Sequence, residues 1–154
     1  IELYKGDAKR IQHFCKVHSY AKLIAETENV DKNCQFIIEA AALTHDIGIH
    51  FCEEKYGNCN GKLQEKEGPA IAEKMLKELG FDQDVSDRVQ YLIAHHHTYN
   101  NIDEIDYQIL VEADFLVNIM EDGLSKEAAL KAYENIFKTT CGKMICREMF
   151  DFCS

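Results

Sequence analysis

Residues 36–50 read FIIEAAALTHDIGIH, and the fold turns on that run. From Phe36 to Leu43 only Glu39 is charged. The run is too short to span a membrane and apolar nearly all round, so it reads as a central buried helix. It then ends on a histidine and an aspartate side by side, His45 and Asp46, with Gly48 placed to stop the helix. Adjacent buried polar groups are costly without partners. Either they cap the next helix or they hold something.

The flanking sequence is helical too. Asp7–Glu28 carries Ile11, Phe14, Cys15, Val17, Tyr20, Ala21, Ile24 and Ala25 at helical spacing. After a polar break at Asn29–Asn33, the second helix runs from about Asn33 to His45. From Ile47 to Glu67 the chain, with Gly57, Asn58, Asn60 and Gly61, reads as a long irregular connection. Gly68-Pro69 predicts the start of a third helix, with proline at its first position and its end at Gly80. A fourth helix is expected from about Asp84 to His95, and a fifth, very apolar, from Glu104 to Glu121. Ser125 reads as the N-cap of a sixth that ends near Lys138, and a short seventh lies between Lys143 and Phe152. No strand pattern or repeat is evident. The expected class is all-α, a helical bundle of six to seven helices forming one domain over residues 1–154.

The totals agree with a globular chain. It has 154 residues, 46% apolar and 29% charged. The net charge of −10 disfavours long nucleic acids and anionic membranes as partners, though small anions can bind where a metal outweighs the field. The seven cysteines are scattered without a CxxC pair, which fits free thiols in a reducing compartment. Cys141, Cys146 and Cys153 could serve a zinc or iron–sulfur site, but small core residues is the favoured reading. With no membrane span and no signal-peptide pattern, a cytoplasmic location is expected.

Four places break the apolar helices: His45-Asp46, Asp114 in VEADFLVNI, His13 in RIQHFCKV, and the histidine run of LIAHHHTY. Singly, each has an ordinary explanation as a cap, a buried pair or a helix-end cation. His18 lies on the stripe beside His13, so spacing alone does not choose between them. Together, two histidines and two carboxylates on separate buried helices favour a divalent cation, which offsets the burial of the carboxylates. Imidazole and carboxylate suit Mn, Fe, Co, Ni or Zn, with Mg also admitted.

In the order of these residues the chain resembles the HD-domain superfamily of metal-dependent phosphohydrolases, from about Asp7 to Asn118. An early helical histidine, a His-Asp doublet and a late aspartate map onto His13, His45-Asp46 in LTHDIG and Asp114. The resemblance implies metal ligands His13, His45, Asp46 and Asp114. It also implies a second metal or a phosphate at His95, His96 and His97, where His96 is the register common to plausible alignments. The chain departs from relatives at Gln64, near an expected histidine, and at Ile49, where many have lysine.

The implied activity is hydrolysis of a phosphate ester of a small molecule or nucleotide by metal-activated water. Asp46 would also orient the water. Lys62 and Gln64 would meet the substrate, Glu67 would hold the water or a ligand, and Asn118 would support Asp114. Glu112 is expected to be peripheral. The alternative is a non-catalytic metal- and nucleotide-binding regulatory module, with a di-iron oxygenase third. A homo-oligomer stays open.

Overall fold

The computed structural model describes residues 1–152. Cys153 therefore lies outside the described residues. A 3₁₀ turn at Glu2–Tyr4 precedes α1 (Ala8–Thr27), α2 (Lys32–Thr44), α3 (Ile49–Tyr56) and α4 (Gly61–Glu78). Then come α5 (Gln83–His95), α6 (Ile105–Glu121), α7 (Lys126–Ile136) and α8 (Thr140–Phe150). The described residues hold no strand, so the all-α expectation is met.

Side-chain caps set most of the helix starts. Asp7 accepts from the Arg10 amide at the start of α1 (3.1 Å). Asp31 accepts from the Asn33 and Cys34 amides at α2 (both 2.9 Å). Ser125 caps α7 through the Ala128 amide, as its sequence predicts. Each such cap contributes about 1 kcal/mol.

One expectation is overturned. The Ile47–Glu67 stretch is not an irregular loop. It contains all of α3 and the first turns of α4. In α3 only Cys52 is buried, so the segment carries little hydrophobic period. The start of α4 is hidden for a related reason, because the side chains it turns inward are Gln64 and Glu65. Asn60 caps this helix through the Leu63 amide (3.0 Å). Pro69 consequently sits inside α4 rather than at its first position, where its ring nitrogen has no hydrogen to donate to the preceding turn.

The core lies where α6 meets α1 and α2. In α6, Ile109, Leu110, Ala113 and Leu116 are fully buried. They pack with Val17, Ala21 and Ile24 of α1 and with Ile38, Ala41 and Ala42 of α2. The α4–α5 pair closes the bundle against α2, bringing Val89, Leu92 and Ile93 into the same core. Cys141 and Cys146 of α8 are buried at its far side. Burial, with the Glu112 charge nearby, pushes the Cys146 thiol up to about 12, and no cysteine joins a metal-spaced group among the described residues. No described helix is long and apolar enough to cross a membrane.

Candidate metal centre

The end of α2 is pinned before any ligand is considered. Thr44 donates its hydroxyl back to the Ala40 carbonyl (2.7 Å), and His45 to Gly48 form a turn. The Tyr4 hydroxyl donates to the Asp46 carbonyl (2.8 Å), tying the chain start to that turn. Gly48 is not a left-handed helix stop, since its φ is −81°. What glycine supplies is room: a Cβ there would lie 3.1 Å from the Gly68 nitrogen of α4. The His45-Asp46 turn and α4 thus touch backbone to backbone.

Three histidines meet at this turn with their roles already fixed. His45 donates Nδ1–H to the Ala42 carbonyl (2.9 Å), and His96 donates Nδ1–H to the Ile93 carbonyl (2.8 Å). His13 donates Nδ1–H to Glu121 Oε2 (3.0 Å), whose other oxygen accepts from Lys16 (2.9 Å). A carbonyl or carboxylate only accepts, so each neutral ring presents Nε2 as a lone pair. Those lone pairs converge. His13 and His45 Nε2 are 3.2 Å apart, and His96 Nε2 lies 3.2 Å from Asp46 Oδ1.

Two carboxylates complete the cluster. Asp46 Oδ2 lies 3.6 Å from His13 Nε2 and 3.5 Å from His45 Nε2. Asp114 Oδ1 lies 3.3 Å and 3.5 Å from the same two atoms. Buried, it makes no hydrogen bond to any described residue. A buried oxygen without a partner, facing converging nitrogen lone pairs, needs a positive centre. The residues present therefore fit a divalent cation. Two ligand-spaced triads share Asp46: one with His13 and His45, the other with His96 and His97.

The electrostatics agree. Burial would raise Asp114, but His13 and His45 beside it hold it far below the usual carboxylate range. Asp46 is likewise lowered against burial, by His45 and His96. Burial disfavours a charged His45, yet Asp46 and Asp114 raise it to about 9. Without a cation the His45 ring therefore carries a proton on Nε2 near pH 7, and a metal bound there would displace that proton to use the lone pair.

The other expected residues fall into place differently. His97 is in the second triad, with Nε2 3.3 Å from Gln64 Oε1. Burial and the neighbouring His96 lower it to about 4, so it is neutral near pH 7. His95 is turned away, donating Nδ1–H to the Tyr91 carbonyl (2.7 Å) and lying over the Tyr91 ring. Lys62 is on the rim, bonded to Glu65 (2.9 Å) and Thr98 (3.2 Å). Glu67 accepts from the Tyr56 hydroxyl (2.5 Å) and Lys55 (3.3 Å), holding α3 to α4 rather than joining the cluster. Asn118 is half-buried one turn beyond Asp114. His18 is taken up by Glu39 (2.8 Å), and it is His13 that the fold brings to His45 and Asp46. His50 bonds Asp7 (3.0 Å) and stacks on Tyr4.

Glu121 and Glu65 were not singled out from the sequence. Glu121 lies seven residues beyond Asp114, two turns along the same face, and that spacing was a usable signal. Glu65 accepts from the His97 amide (3.1 Å) and the Thr98 hydroxyl (2.8 Å), clamping the histidine turn. Nothing in its own charged surroundings, KLQEKE, marks it out.

Comparison with curated proteins and with solved structures gave no match. Residues 10–137 match the family described as HD domain, a span that takes in all four expected ligands. With the doublet, its two distant partners and the helical bundle in place, the chain belongs to the HD-domain family.

Proposed function

We propose that this protein is a metal-dependent phosphohydrolase that cleaves a phosphate ester of a small molecule or nucleotide. The observation that carries the reading is the convergence of His13 and His45 Nε2 on the partnerless Asp114 Oδ1, beside Asp46. His13, His45, Asp46 and Asp114 would hold one divalent cation. When bound, such a cation lowers the pKa of a water and stabilises charge on phosphoryl oxygens.

The chain supplies the rest. Asp46 sits between the His13–His45 pair and His96, where it can hold the attacking water and orient it. Water adds to phosphorus, the ester P–O bond breaks, and the alcohol leaves with a proton. His97 and Gln64, both uncharged, offer hydrogen bonds to a phosphate oxygen, and Lys62 supplies charge at the rim. The acidic chain suits a small phosphorylated substrate over a long polyanion. The described cysteines are all free, which supports a reducing, cytoplasmic setting.

The experiment is metal analysis of the purified protein, then a phosphate-ester panel with Mn, Fe, Co, Ni, Zn and Mg. Turnover with at least one ion is expected, with both turnover and bound metal lost in His45→Ala. No turnover of any ester with any ion would overturn the reading. Tight nucleotide binding without turnover would put a regulatory module in its place.

A further inference from the structure

Thr44 and Ile47 flank the His45-Asp46 doublet, and both line a cavity of about 400 Å³ whose lining includes none of the four expected ligands. The cavity follows from how α4 meets α2. The turn after α2 touches α4 backbone to backbone, at Gly48 and Gly68. At the other end Phe81, just beyond α4, stacks on Phe36 of α2 with centroids 5.3 Å apart. Between those two contacts α2 runs for about 12 Å, from Phe36 to Thr44. Along that length α4 packs on α3 and α5, while α2 packs on α1, α5 and α6. A long gap is left between α2 and α4.

The gap is also deep and apolar. Its floor is recessed, with Tyr4, Phe14, Ile47 and Leu76 all buried, and its rim carries the exposed Leu3, Leu43 and Leu79. None of the described residues that line it is charged. Its hydroxyls are already spent, since Thr44 donates to the Ala40 carbonyl and Tyr4 to the Asp46 carbonyl. The remaining polar side chain is the exposed Cys15 thiol, a weak donor. A phosphate or a nucleotide would find no cation here. A second copy of the chain, pressed against the rim, would leave the recessed floor unfilled, and two chains of net charge −10 repel each other. A slender hydrocarbon fills both the length and the depth and asks for no hydrogen bond. The volume lies within the roughly 300–1,000 Å³ of small-molecule sites. The same acidic charge favours an uncharged head group at the mouth over a carboxylate.

We infer that this cavity is a binding site, separate from the metal centre, for the hydrocarbon chain of an uncharged, single-tailed amphiphile. The Phe14 ring stands between the two sites. It lies edge-on to His45 and to Tyr4, with centroids 5.7 Å and 5.2 Å apart. The inference goes beyond the phosphohydrolase reading and does not depend on it.

The test is displacement of N-phenyl-1-naphthylamine, a probe that fluoresces in apolar surroundings, from the full chain by hexanol, octanol and decanol. Affinity should rise about three- to four-fold per added methylene, as burial of each one provides. Decanoate should bind more weakly than decanol. Leu43→Glu sets a charge in the wall and should weaken decanol by about ten-fold or more. Leu23 is as exposed as Leu43 (47% against 48%) but lies outside the cavity, so Leu23→Glu should leave binding unchanged. In the unaltered protein, decanol should slow alkylation of Cys15 by a maleimide but not that of Cys59, read by peptide mass spectrometry. No saturable binding, no dependence on chain length, equal weakening in the two variants, or an unprotected Cys15 would each overturn the inference. So would a concentration-dependent dimer in sedimentation that Leu43→Glu abolishes, which would give the cavity to a second copy.

Discussion

Glu121 decides how His13 points. Without its acceptor at 3.0 Å, the His13 ring could take the other tautomer and aim a hydrogen, not a lone pair, at Asp114. Glu121→Gln retains an acceptor but loses the charge that makes the ring more basic. Metal affinity should weaken by about 10–100-fold, read by competition with a chromophoric chelator. The helix content of the variant should be unchanged. Asp114→Asn presents the sharper case. It puts a neutral amide where a partnerless carboxylate faces two imidazoles, and metal retention after gel filtration should be lost. At this scale the sequence was informative. His45, Asp46 and Asp114 interrupted apolar helices, and such interruptions are visible without coordinates. Glu121 and Glu65 were not, because a carboxylate near a helix end or in a charged run looks solvated until its partner is known.

At the scale of the element, the position of α4 is the informative result. Buried helices α2 and α6 were legible because their side chains are apolar nearly all round. The starts of α3 and α4 were not, because their inward residues are a thiol, an amide and a carboxylate. Their packing depends on two glycines in contact. A Cβ at Gly68 would come 2.8 Å from Ile93 Cγ2, and one at Gly48 would meet the Gly68 backbone. Gly68→Ala and Gly48→Ala should each cost about 1–3 kcal/mol in urea unfolding. Gly48→Ala should be the worse of the two, since backbone yields less than a side-chain methyl. The start of α1 gives a pH test. The His50 contact, with the Arg10 amide and side chain, holds Asp7 down at about 2, against 3.8 unperturbed. A lowered carboxylate stabilises the fold above its unfolded pKa, and that contribution is lost as pH falls through the folded value. Urea midpoints should therefore fall further between pH 4 and pH 2 in the wild type than in Asp7→Asn, which keeps a capping oxygen but no charge.

For the whole molecule, the question is how the C-terminal hairpin stays on a bundle whose family match ends at residue 137. Glu112 answers it. Expected to be peripheral to the candidate metal centre, it bonds Gln108, Lys138 and Thr139 instead, and it is fully buried. Two residues before Asp114, it projects about 200° around α6, onto the far side. Its carboxylate accepts from the Lys138 amide (2.6 Å), the Thr139 amide (2.9 Å), the Thr139 hydroxyl (2.5 Å) and Gln108 (2.7 Å). One acidic group thus satisfies the chain between α7 and α8, and Gly142 leaves it the space to do so. Removing the acceptor strands several buried donors at once, while relief from burying the charge offsets only part of that loss. Glu112→Ala should cost at least about 2 kcal/mol, with the amides of α8 exchanging hydrogen faster than those of α1 and α6. Glu112→Gln should cost less, because its carbonyl can still serve both backbone amides and the Thr139 hydroxyl can turn to accept. Neither change should alter metal affinity, since α6 presents the two acids to opposite sides. A parallel loss of metal in Glu112→Gln would show instead that the hairpin and the centre are coupled through α6.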